Sequence, residues 1–263
     1  MNAANPETVL ITGASSGIGL ELARCFAADK SNLILIARST DALEKLAGEL
    51  RAAHGITARV LTADLSLPET AKKIFQELSA QKISVDILVN NAGFGLQGGF
   101  VKLPLSRQLE IIHVNITALT ELTGLFLPGM IQRRRGGILN VGSVAGFLPG
   151  PNMAVYYASK AFVLSFTEAL AEEMSGSGLT FSVLCPGPTE SNFGNVARGG
   201  KTRQVQRQKM SAATVARIGH QKFRAEKIVV VPGISNQLLA FSTRIVSRTF
   251  ARKIVKKYNR TKE

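Results

Sequence analysis

The sequence has few of the residues that disulfide-rich and metal-binding proteins depend on. Its 263 residues include two cysteines, three histidines and no tryptophan. Cys25 and Cys185 are too few for a disulfide framework, and we expect both to be reduced, buried thiols. His54, His113 and His220 are far apart and lack the spacing of metal ligands, so we expect no bound metal.

Long apolar runs are also missing. No window reaches the roughly 18 uninterrupted apolar residues of a membrane-spanning helix. The first residues, MNAANPE, lack the basic start and the apolar run of a signal peptide. We therefore expect a soluble, cytoplasmic chain. Its length and its 45% hydrophobic content predict one domain with a sizeable core, because parallel α/β domains often reach this length undivided.

Acidic residues are scarce, and the resulting positive charge is uneven. The chain has 32 Lys and Arg against 18 Asp and Glu, a net charge of +14. Residues 198–263 contain 17 of the bases and two of the acids, Glu226 and Glu263, a net charge of +15. Residues 1–197 contain 15 bases and 16 acids and are nearly neutral. The positive charge therefore belongs to the final quarter of the chain.

The segment from Thr8 to Leu20, TVLITGASSGIGL, has the pattern of a buried strand, a glycine-rich turn and a helix. Gly13 allows a sharp turn, Gly17 leaves the backbone open to a pyrophosphate, and Gly19 allows the helix to pack closely. The free N–H groups and the dipole of that helix favour a bound anion. The spacing differs from the usual G-x-G-x-x-G, and such turns also occur without a ligand.

A second apolar run, from Asn32 to Ala37, completes a β-α-β unit and ends in Arg38 and Ser39. Sites that prefer NAD place Asp or Glu near this strand end, where the carboxylate binds the ribose 2′-hydroxyl. An arginine instead suits a 2′-phosphate, and the sequence shows no neighbouring carboxylate to repel that phosphate. We therefore predict NADP(H) as the cofactor. The alternative is a solvated arginine at a strand end.

Two further strand ends carry polar residues. Asp64 and Leu65 follow the third predicted strand, where ligands of doubly wound sheets bind, so Asp64 is expected near the adenine. Asp64 could equally cap the helix that begins near Pro68. The fourth strand ends in NNAG, residues 90–93, and from the residues alone this loop is predicted to be structural.

Asn115 and Ser143 are the next polar side chains at positions of interest. Asn115 lies inside a predicted helix that runs from Arg107 past Leu125, where asparagine is mildly unfavourable. A buried side-chain hydrogen bond is the simple explanation for it. Ser143 lies at the carboxyl end of the fifth predicted strand, in the turn GSVAG.

Lys160 follows two tyrosines on one predicted helix. Residues three and four apart share a helix face, so Lys160 could lie beside Tyr157 or Tyr156, and geometry alone does not choose between them. A Tyr–Lys pair on a helix is also common as an ordinary surface contact.

Four of these signals occur in one order: TGASSGIG at 12–19, NNAG at 90–93, a serine after the fifth strand, and Y-x-x-x-K at 156–160. Together they resemble the short-chain dehydrogenase/reductase family over residues 8 to about 193. The resemblance implies an α/β fold, a single Rossmann-like, doubly wound domain with a mostly parallel seven-stranded sheet flanked by helices. It also accounts for the glycine spacing and selects Tyr156 over Tyr157.

The resemblance implies a catalytic tetrad of Asn115, Ser143, Tyr156 and Lys160. Tyr156 would pass a proton to or from the substrate oxygen, and Ser143 would bond that oxygen. A free tyrosine has a pKa of about 10, so Lys160 and the oxidised nicotinamide would be needed to favour the tyrosinate. Asn115 would hold a water that passes protons to Lys160.

The same resemblance implies a cofactor site that extends from the glycine-rich turn to the loop after the sixth strand. The family often has threonine five positions after the proline of that loop, and this chain has Ser191 there. The predicted cofactor-binding residues are Gly13, Ser15, Ser16, Gly17, Ile18, Gly19, Arg38, Ser39, Asp64, Leu65, Asn91, Ala92, Gly93, Tyr156, Lys160, Pro186, Gly187, Thr189 and Ser191.

We therefore expect an NADP(H)-dependent oxidoreductase that interconverts a carbonyl and a secondary alcohol. The substrate is expected to be hydrophobic, because the residues expected around the nicotinamide, such as Phe94, Phe147 and Phe193, are mainly apolar or small. The alternatives are a long-chain 3-ketoacyl or hydroxysteroid-type reductase at a membrane surface and, in another class, a non-catalytic NADP-sensing or interaction protein.

We expect a homodimer or homotetramer. Nucleic-acid binding is not expected, because no RNA- or DNA-reading motif accompanies the basic charge.

The chain is predicted to divide into a core over 1–233, with a substrate lid at about 190–225, and a basic amphipathic C-terminal helix and tail over 234–263. Within 234–258 helical spacing relates the apolar residues Leu238, Phe241, Ile245, Val246, Phe250 and Ile254. The remaining surface carries Arg244, Arg248, Arg252, Lys253, Lys256 and Lys257. Three partners for this helix are open: the core or a second subunit, which we favour, an anionic membrane, and an anionic acyl-carrier protein.

Overall fold

The first half of the chain alternates strands and helices. The computed structural model describes residues 6–190 and 209–259. The first elements are β1 (Thr8–Thr12), α1 (Gly17–Ala28), β2 (Asn32–Ala37), α2 (Thr40–His54), β3 (Ala58–Thr62), α3 (Thr70–Ala80) and β4 (Ile87–Asn90).

The second half adds further strands to the same sheet and ends in two helices. Its elements are α4 (Leu105–Ile112), a π-helical segment (His113–Ala118), α5 (Leu119–Arg133), β5 (Gly137–Val141), α6 (Ala154–Glu173), β6 (Thr180–Leu184), β7 (Thr189–Glu190), β8 (Met210–Ser211), α7 (Ala212–Arg224), β9 (Val229–Val230), α8 (Ile234–Ser242) and α9 (Arg248–Tyr258). Two short 3₁₀ turns lie at Phe100–Lys102 and Val144–Phe147.

Seven strands form one sheet in the order β3-β2-β1-β4-β5-β6-β9, and each neighbouring pair is parallel. The strand order changes direction beside β1, which creates a crevice at the carboxyl ends of β1 and β4. This confirms the predicted doubly wound, seven-stranded fold. The small parallel ribbon of β7 and β8 was not predicted.

The central strands are mostly apolar because both faces of the sheet are covered. In β1, Val9 and Ile11 pack among the helices α1, α2 and α7, whereas Leu10 packs on the other side with α3 and α5. Adjacent strand residues point to opposite faces, so the continuous apolar run fills two separate core layers.

Helix α7 is fixed against α1 by a cluster of polar contacts. His220 Nε2 lies 2.9 Å from the carboxylate of Asp29 at the end of α1. Arg224 pairs with the same carboxylate at 3.0 Å and with Glu7 at 2.8 Å. Val215 and Phe223 are buried beneath these contacts. This part of the segment predicted as a lid therefore packs as a core helix, whereas residues 191–208 lie outside the described residues.

The helical stretch Leu105–Arg133 comprises α4, the π-helical segment and α5. Among residues 6–190 and 209–259, it is the one stretch long and apolar enough to cross a membrane by length and composition. Half of its most apolar window is buried within the domain, which is the environment of a core helix. The sequence of this stretch contains no uninterrupted apolar run of that length, because polar residues lie between its apolar residues.

The C-terminal region differs from the prediction of a single helix over 234–258. It contains two helices, α8 and α9, with a break at residues 243–247. Ser247 begins the second helix, since its hydroxyl accepts a hydrogen bond from the N–H of Phe250 at 3.3 Å. An N-cap of this kind satisfies an N–H group that would have no partner in the first turn, so it stabilises a new helix start at this point.

Candidate active site

The glycine-rich turn lies between β1 and α1 and requires glycine for two physical reasons. Gly13 and Gly17 have positive φ angles of 64° and 57°, which glycine adopts without strain. A Cβ atom on Gly19 would lie 2.4 Å from both the carbonyl oxygen of Gly13 and Nδ2 of Asn91. Gly19 therefore allows α1 to approach the turn and the loop after β4, as well as the strand.

The N-terminus of α1 offers free backbone amides next to this turn. Ser16, its N-cap residue, makes no side-chain capping bond, and the first turn contains no acidic residue. The amides at Gly17 and Ile18 are thus open to an anion, with the hydroxyls of Ser15 and Ser16 beside them. These residues fit the pyrophosphate of a dinucleotide.

The NNAG loop is bound to the end of β1. Asn91 Nδ2 donates to the carbonyl oxygens of Thr12 and Gly13 at 2.9 and 3.1 Å. The backbone N–H groups of Asn91 and Ala92 both donate to Thr12 Oγ1 at 3.0 Å. The Asn91 side chain therefore positions the glycine-rich turn, in agreement with the structural role predicted from the residues alone.

Gly93 and Asn115 bring that loop to the predicted tetrad. A Cβ atom on Gly93 would lie 3.0 Å from Asn115 Oδ1 and 3.4 Å from Lys160 Nζ. Asn115 is 1% exposed, and its amide bonds both backbone groups of Phe94 and, at 2.9 Å, Ser159 Oγ. It lies in the π-helical segment, a rare conformation that is frequent at functional sites. The predicted water relay through Asn115 stays a prediction.

Ser143 and Tyr156 place two hydroxyl groups together. Ser143 caps the 3₁₀ turn after β5, and its oxygen accepts the N–H of Ala145 at 3.1 Å. Its hydroxyl also lies 3.4 Å from the carbonyl oxygen of Pro186 and is hydrogen-bonded to the Tyr156 side chain. This pair could hold one substrate oxygen between them.

Lys160 lies beneath Tyr156, is 5% exposed, and donates to the Val141 carbonyl oxygen at 2.7 Å. Its Nζ is 6.0 Å from the centroid of the Tyr156 ring. Burial lowers the pKa of Lys160 to about 8 and raises the pKa of the Tyr156 phenol to about 12. Desolvation of the phenol dominates in the protein without cofactor, and the expectation that Lys160 and the oxidised nicotinamide together favour the tyrosinate stays a prediction.

Tyr157 makes its contacts on another side of α6. Its hydroxyl lies 3.5 Å from Oδ1 of Asn259, which follows α9. Its ring covers Gly150, where an added Cβ would lie 2.0 Å from the ring. These contacts give Tyr157 a structural role, and they separate it from the tyrosine that faces Ser143.

Arg38 lies at the end of β2 with 75% of its side chain exposed, 4.0 Å from the carboxylate of Asp64, so the expectation that no carboxylate lies near Arg38 is wrong. Asp64 accepts the N–H of Ser66 at 2.9 Å, whereas α3 begins only at Thr70 with Glu69 as its N-cap. The capping alternative for Asp64 is therefore wrong. Burial raises the pKa of Asp64, but the Ser66 hydrogen bonds and the Arg38 charge outweigh burial and lower it overall.

Of the remaining predicted cofactor residues, Ser39, Leu65 and Thr189 follow the carboxyl ends of β2, β3 and β6. Ser39 is exposed at the start of α2, whereas Leu65 is buried in the core, so only its backbone can meet a ligand. Thr189 Oγ1 donates to the carbonyl oxygen of Gly187 at 2.9 Å. Ser191 lies outside the described residues, as does Phe193.

Sequence reasoning missed two asparagines that support this region. Asn90 and Asn140 are buried side by side on β4 and β5 and are linked by a hydrogen bond of 2.9 Å. Asn140 Nδ2 also donates to Thr167 Oγ1 on α6, the helix that carries Tyr156 and Lys160. Polar residues within apolar strand runs were the available signal, since a buried amide requires partners.

Comparisons with known proteins identify the family of this chain. A family profile described as short chain dehydrogenase matches residues 7–201. The ketoacyl reductase HetN of Nostoc sp. is 35% identical over 181 residues, which are 69% of this chain and 63% of that relative, so less than two thirds of the relative is spanned.

Two solved structures resemble the whole fold. A short-chain dehydrogenase from Sphingobium yanoikuyae in complex with NADPH has a TM-score of 0.81 and 33% identity, over 91% of this chain and 93% of its own. A bulky-bulky ketone specific alcohol dehydrogenase from Comamonas testosteroni has a TM-score of 0.79 and 30% identity, over 92% and 93% of the two chains. From its sequence profile and its fold, this chain belongs to the short-chain dehydrogenase family.

Proposed function

We propose that this protein is an NADP(H)-dependent oxidoreductase that interconverts a carbonyl and a secondary alcohol on a hydrophobic substrate. One observation carries the proposal: the hydrogen-bonded hydroxyls of Ser143 and Tyr156 lie above the buried ammonium group of Lys160. This group of side chains lies at the carboxyl edge of the sheet, the edge that also presents the uncapped N-terminus of α1.

The side chains of this chain handle the oxygen and its proton. Ser143 and Tyr156 bond the carbonyl oxygen, and Tyr156 donates its proton as negative charge develops there. A bound nicotinamide cofactor supplies or accepts the hydride. Lys160 holds a positive charge below the reacting oxygen, because its pKa of about 8 leaves it largely protonated at neutral pH.

The preference for NADP(H) rests on Arg38. Its exposed guanidinium can bond a 2′-phosphate with two parallel hydrogen bonds. The Asp64 carboxylate, 4.0 Å away, would repel that phosphate, so the net preference depends on the arginine outweighing the carboxylate. The NADPH complex of the Sphingobium yanoikuyae relative supports this preference.

The proposed hydrophobic substrate agrees with the surroundings of Tyr156. A small cavity borders this residue on the side of α4 and the loop after β4. Besides Tyr156, its lining consists of the polar Gln108 and eight residues with an apolar side chain or none: Leu96, Gly98, Phe100, Leu103, Ile111, Met153, Ala154 and Val155. The ketoacyl and bulky-ketone activities named for two relatives support a carbonyl with apolar substituents.

The test is NADPH oxidation by the purified protein with a panel of carbonyl compounds. The panel contains 3-ketoacyl thioesters of increasing chain length, bulky aryl ketones and charged keto sugars, each with NADPH and with NADH. We expect turnover of the apolar substrates with NADPH and its loss in Tyr156→Phe. NADPH binding without turnover of any carbonyl would instead favour the NADP-sensing alternative.

A further inference from the structure

The C-terminal helices expose the apolar side chains that were predicted to pack on the core or on a second subunit. In α8, Ile234, Leu238 and Phe241 are 76, 63 and 58% exposed, and in α9 Phe250 and Ile254 are 56 and 52% exposed. Ala251 and Val255 are the buried residues of α9. The apolar stripe predicted to pack on the core or on a second subunit therefore does not pack on this chain's own core, because a different face of α9 makes that contact, and packing on a second subunit stays a prediction.

Helix α9 is held in a defined orientation, so the exposure of its apolar side chains is not the result of an undocked helix. Asn259, directly after the helix, is 3% exposed. Its Nδ2 donates to the carbonyl oxygen of Pro151 at 3.0 Å, and its own carbonyl oxygen accepts from Gln97 and Asn152 at 3.3 Å. These bonds fix which face of α9 points outward.

The exposed apolar stripe of α9 is bordered by cations. Phe250 and Ile254 lie four residues apart, and Lys253 and Lys257 each follow one of them by three residues, so all four share neighbouring surface. The two helices and their link carry six exposed cations: Arg244, Arg248, Arg252, Lys253, Lys256 and Lys257. The sequence has no acidic residue between Glu226 and Glu263. The surface of α8, α9 and their link therefore combines exposed apolar side chains with charged side chains that are all positive.

We propose that α8 and α9 dock this chain on an anionic lipid surface. Apolar side chains beside lysines are what an interfacial helix presents to acyl chains and anionic headgroups. A second copy of the chain fits less well, because self-association through this face would oppose cations to cations.

The docking surface lies close to the candidate active site. Asn259 bonds Tyr157, the residue next to Tyr156. In α8, Asn236 packs against Gly187, where an added Cβ would lie 2.3 Å from its Oδ1. Docking would therefore bring the rim of the active site to the lipid, where a hydrophobic substrate is concentrated. The docking itself does not depend on the proposed function.

The test is flotation of the full-length protein with vesicles of neutral phosphatidylcholine and with vesicles that contain phosphatidylserine. The test variant is Lys253→Glu/Lys257→Glu, and the matched control is Lys45→Glu/Lys73→Glu, which makes the same change in net charge on exposed positions of α2 and α3. We expect binding to the anionic vesicles alone, lost at high salt, and reduced by more than about tenfold in the test variant only.

A further variant, Phe250→Ser/Ile254→Ser, tests the apolar contribution, and circular dichroism checks that each protein is folded. Absence of wild-type flotation, an unaffected test variant, or an equal loss in the control would each overturn the proposal. Conversion of a wild-type oligomer to monomer by Phe250→Ser/Ile254→Ser, without vesicle binding by the wild type, would assign the surface to a second copy. Turnover of a soluble ketone without vesicles, unchanged in these variants, tests the proposed function separately.

Discussion

In strands β1, β2, β4, β5 and β6 of the parallel sheet the apolar side chains are buried, whereas in the C-terminal helices several large ones are more than half exposed. Leu10 and Ile36 have no accessible surface, because helices cover both faces of their strands. Phe250 and Ile254 occupy a regular helix but face away from the domain. An apolar pattern therefore predicts that one face of an element will be buried. Only the neighbouring elements show whether another part of this chain buries it.

The adjacent tyrosines give the sharpest test of this contrast, since Tyr156 faces Ser143 and Tyr157 faces Asn259. We expect Tyr156→Phe to lower kcat by about 10³-fold with little change in cofactor affinity, because the proton donor alone is lost. Tyr157→Phe should change kcat less than about threefold while it weakens the attachment of α9. Steady-state kinetics measures the first effect, and hydrogen exchange over residues 248–259 measures the second. A near-normal kcat in Tyr156→Phe would remove this residue as the acid.

The preference between NADPH and NADH tests the roles of Arg38 and Asp64, which lie at the exposed edge of the core. Arg38→Asp should reverse the NADPH preference by about 10²-fold or more in the ratio of kcat/KM values, because a carboxylate replaces the phosphate's partner. Asp64→Asn should raise the NADPH preference a few-fold, since a repelling charge 4.0 Å from Arg38 is removed. Equal ratios in wild type and Arg38→Asp would assign specificity to other residues, with Ser15, Ser16 and Ser39 as the next candidates.

Two helical glycines compare a packed position with an open one. Gly19→Ala should lower the free energy of unfolding by about 3 kcal/mol and weaken cofactor binding, because its Cβ would overlap the Gly13 carbonyl oxygen. Gly48 in α2 has open space, so Gly48→Ala should instead raise stability by about 0.5–1 kcal/mol. Urea unfolding measures both. Equal effects of the two substitutions would contradict the packing that the turn requires.

Lys160 is a buried charge whose expected function costs stability. At pH 7 its ammonium group is charged although burial has lowered its pKa from 10.5 to about 8. Because burial favours the neutral amine, the lowered pKa makes the folded state more stable above pH 10.5 than below pH 8. This extra stability is lost as the pH falls from 10.5 through 8. Lys160→Met should therefore raise the unfolding free energy at pH 7 by about 2 kcal/mol, net of the lost bond to Val141, and abolish turnover.

The same reasoning gives a pH profile for this variant. Its advantage over the wild type should shrink as pH rises from 8 towards 10.5, because the wild-type lysine then becomes neutral. Thermal unfolding across that range measures the difference. A constant difference between the two proteins would show that lost packing, and not the buried charge, sets the stability.

Much of the fold could be predicted because its signals are local. The strand predicted at 32–37 matches β2 residue for residue, since continuous apolar runs bounded by turns identify buried parallel strands. The glycine spacing identified the turn between β1 and α1 for a similar reason: backbone conformation and helix start depend on residues only a few positions apart. The catalytic roles of the tetrad came from the family resemblance and stay predictions.

The sequence by itself therefore determined the doubly wound sheet, its glycine-rich turn and the order of the motifs. The tertiary structure alone decided that Asp64 lies beside Arg38, that burial raises the pKa of Tyr156, and that the apolar stripe of α9 faces outward. Asn259 shows the physical reason, because its partner Pro151 is 108 residues away in the chain. Side-chain contacts and desolvation depend on which distant segments meet, and local periodicity carries no information about that meeting.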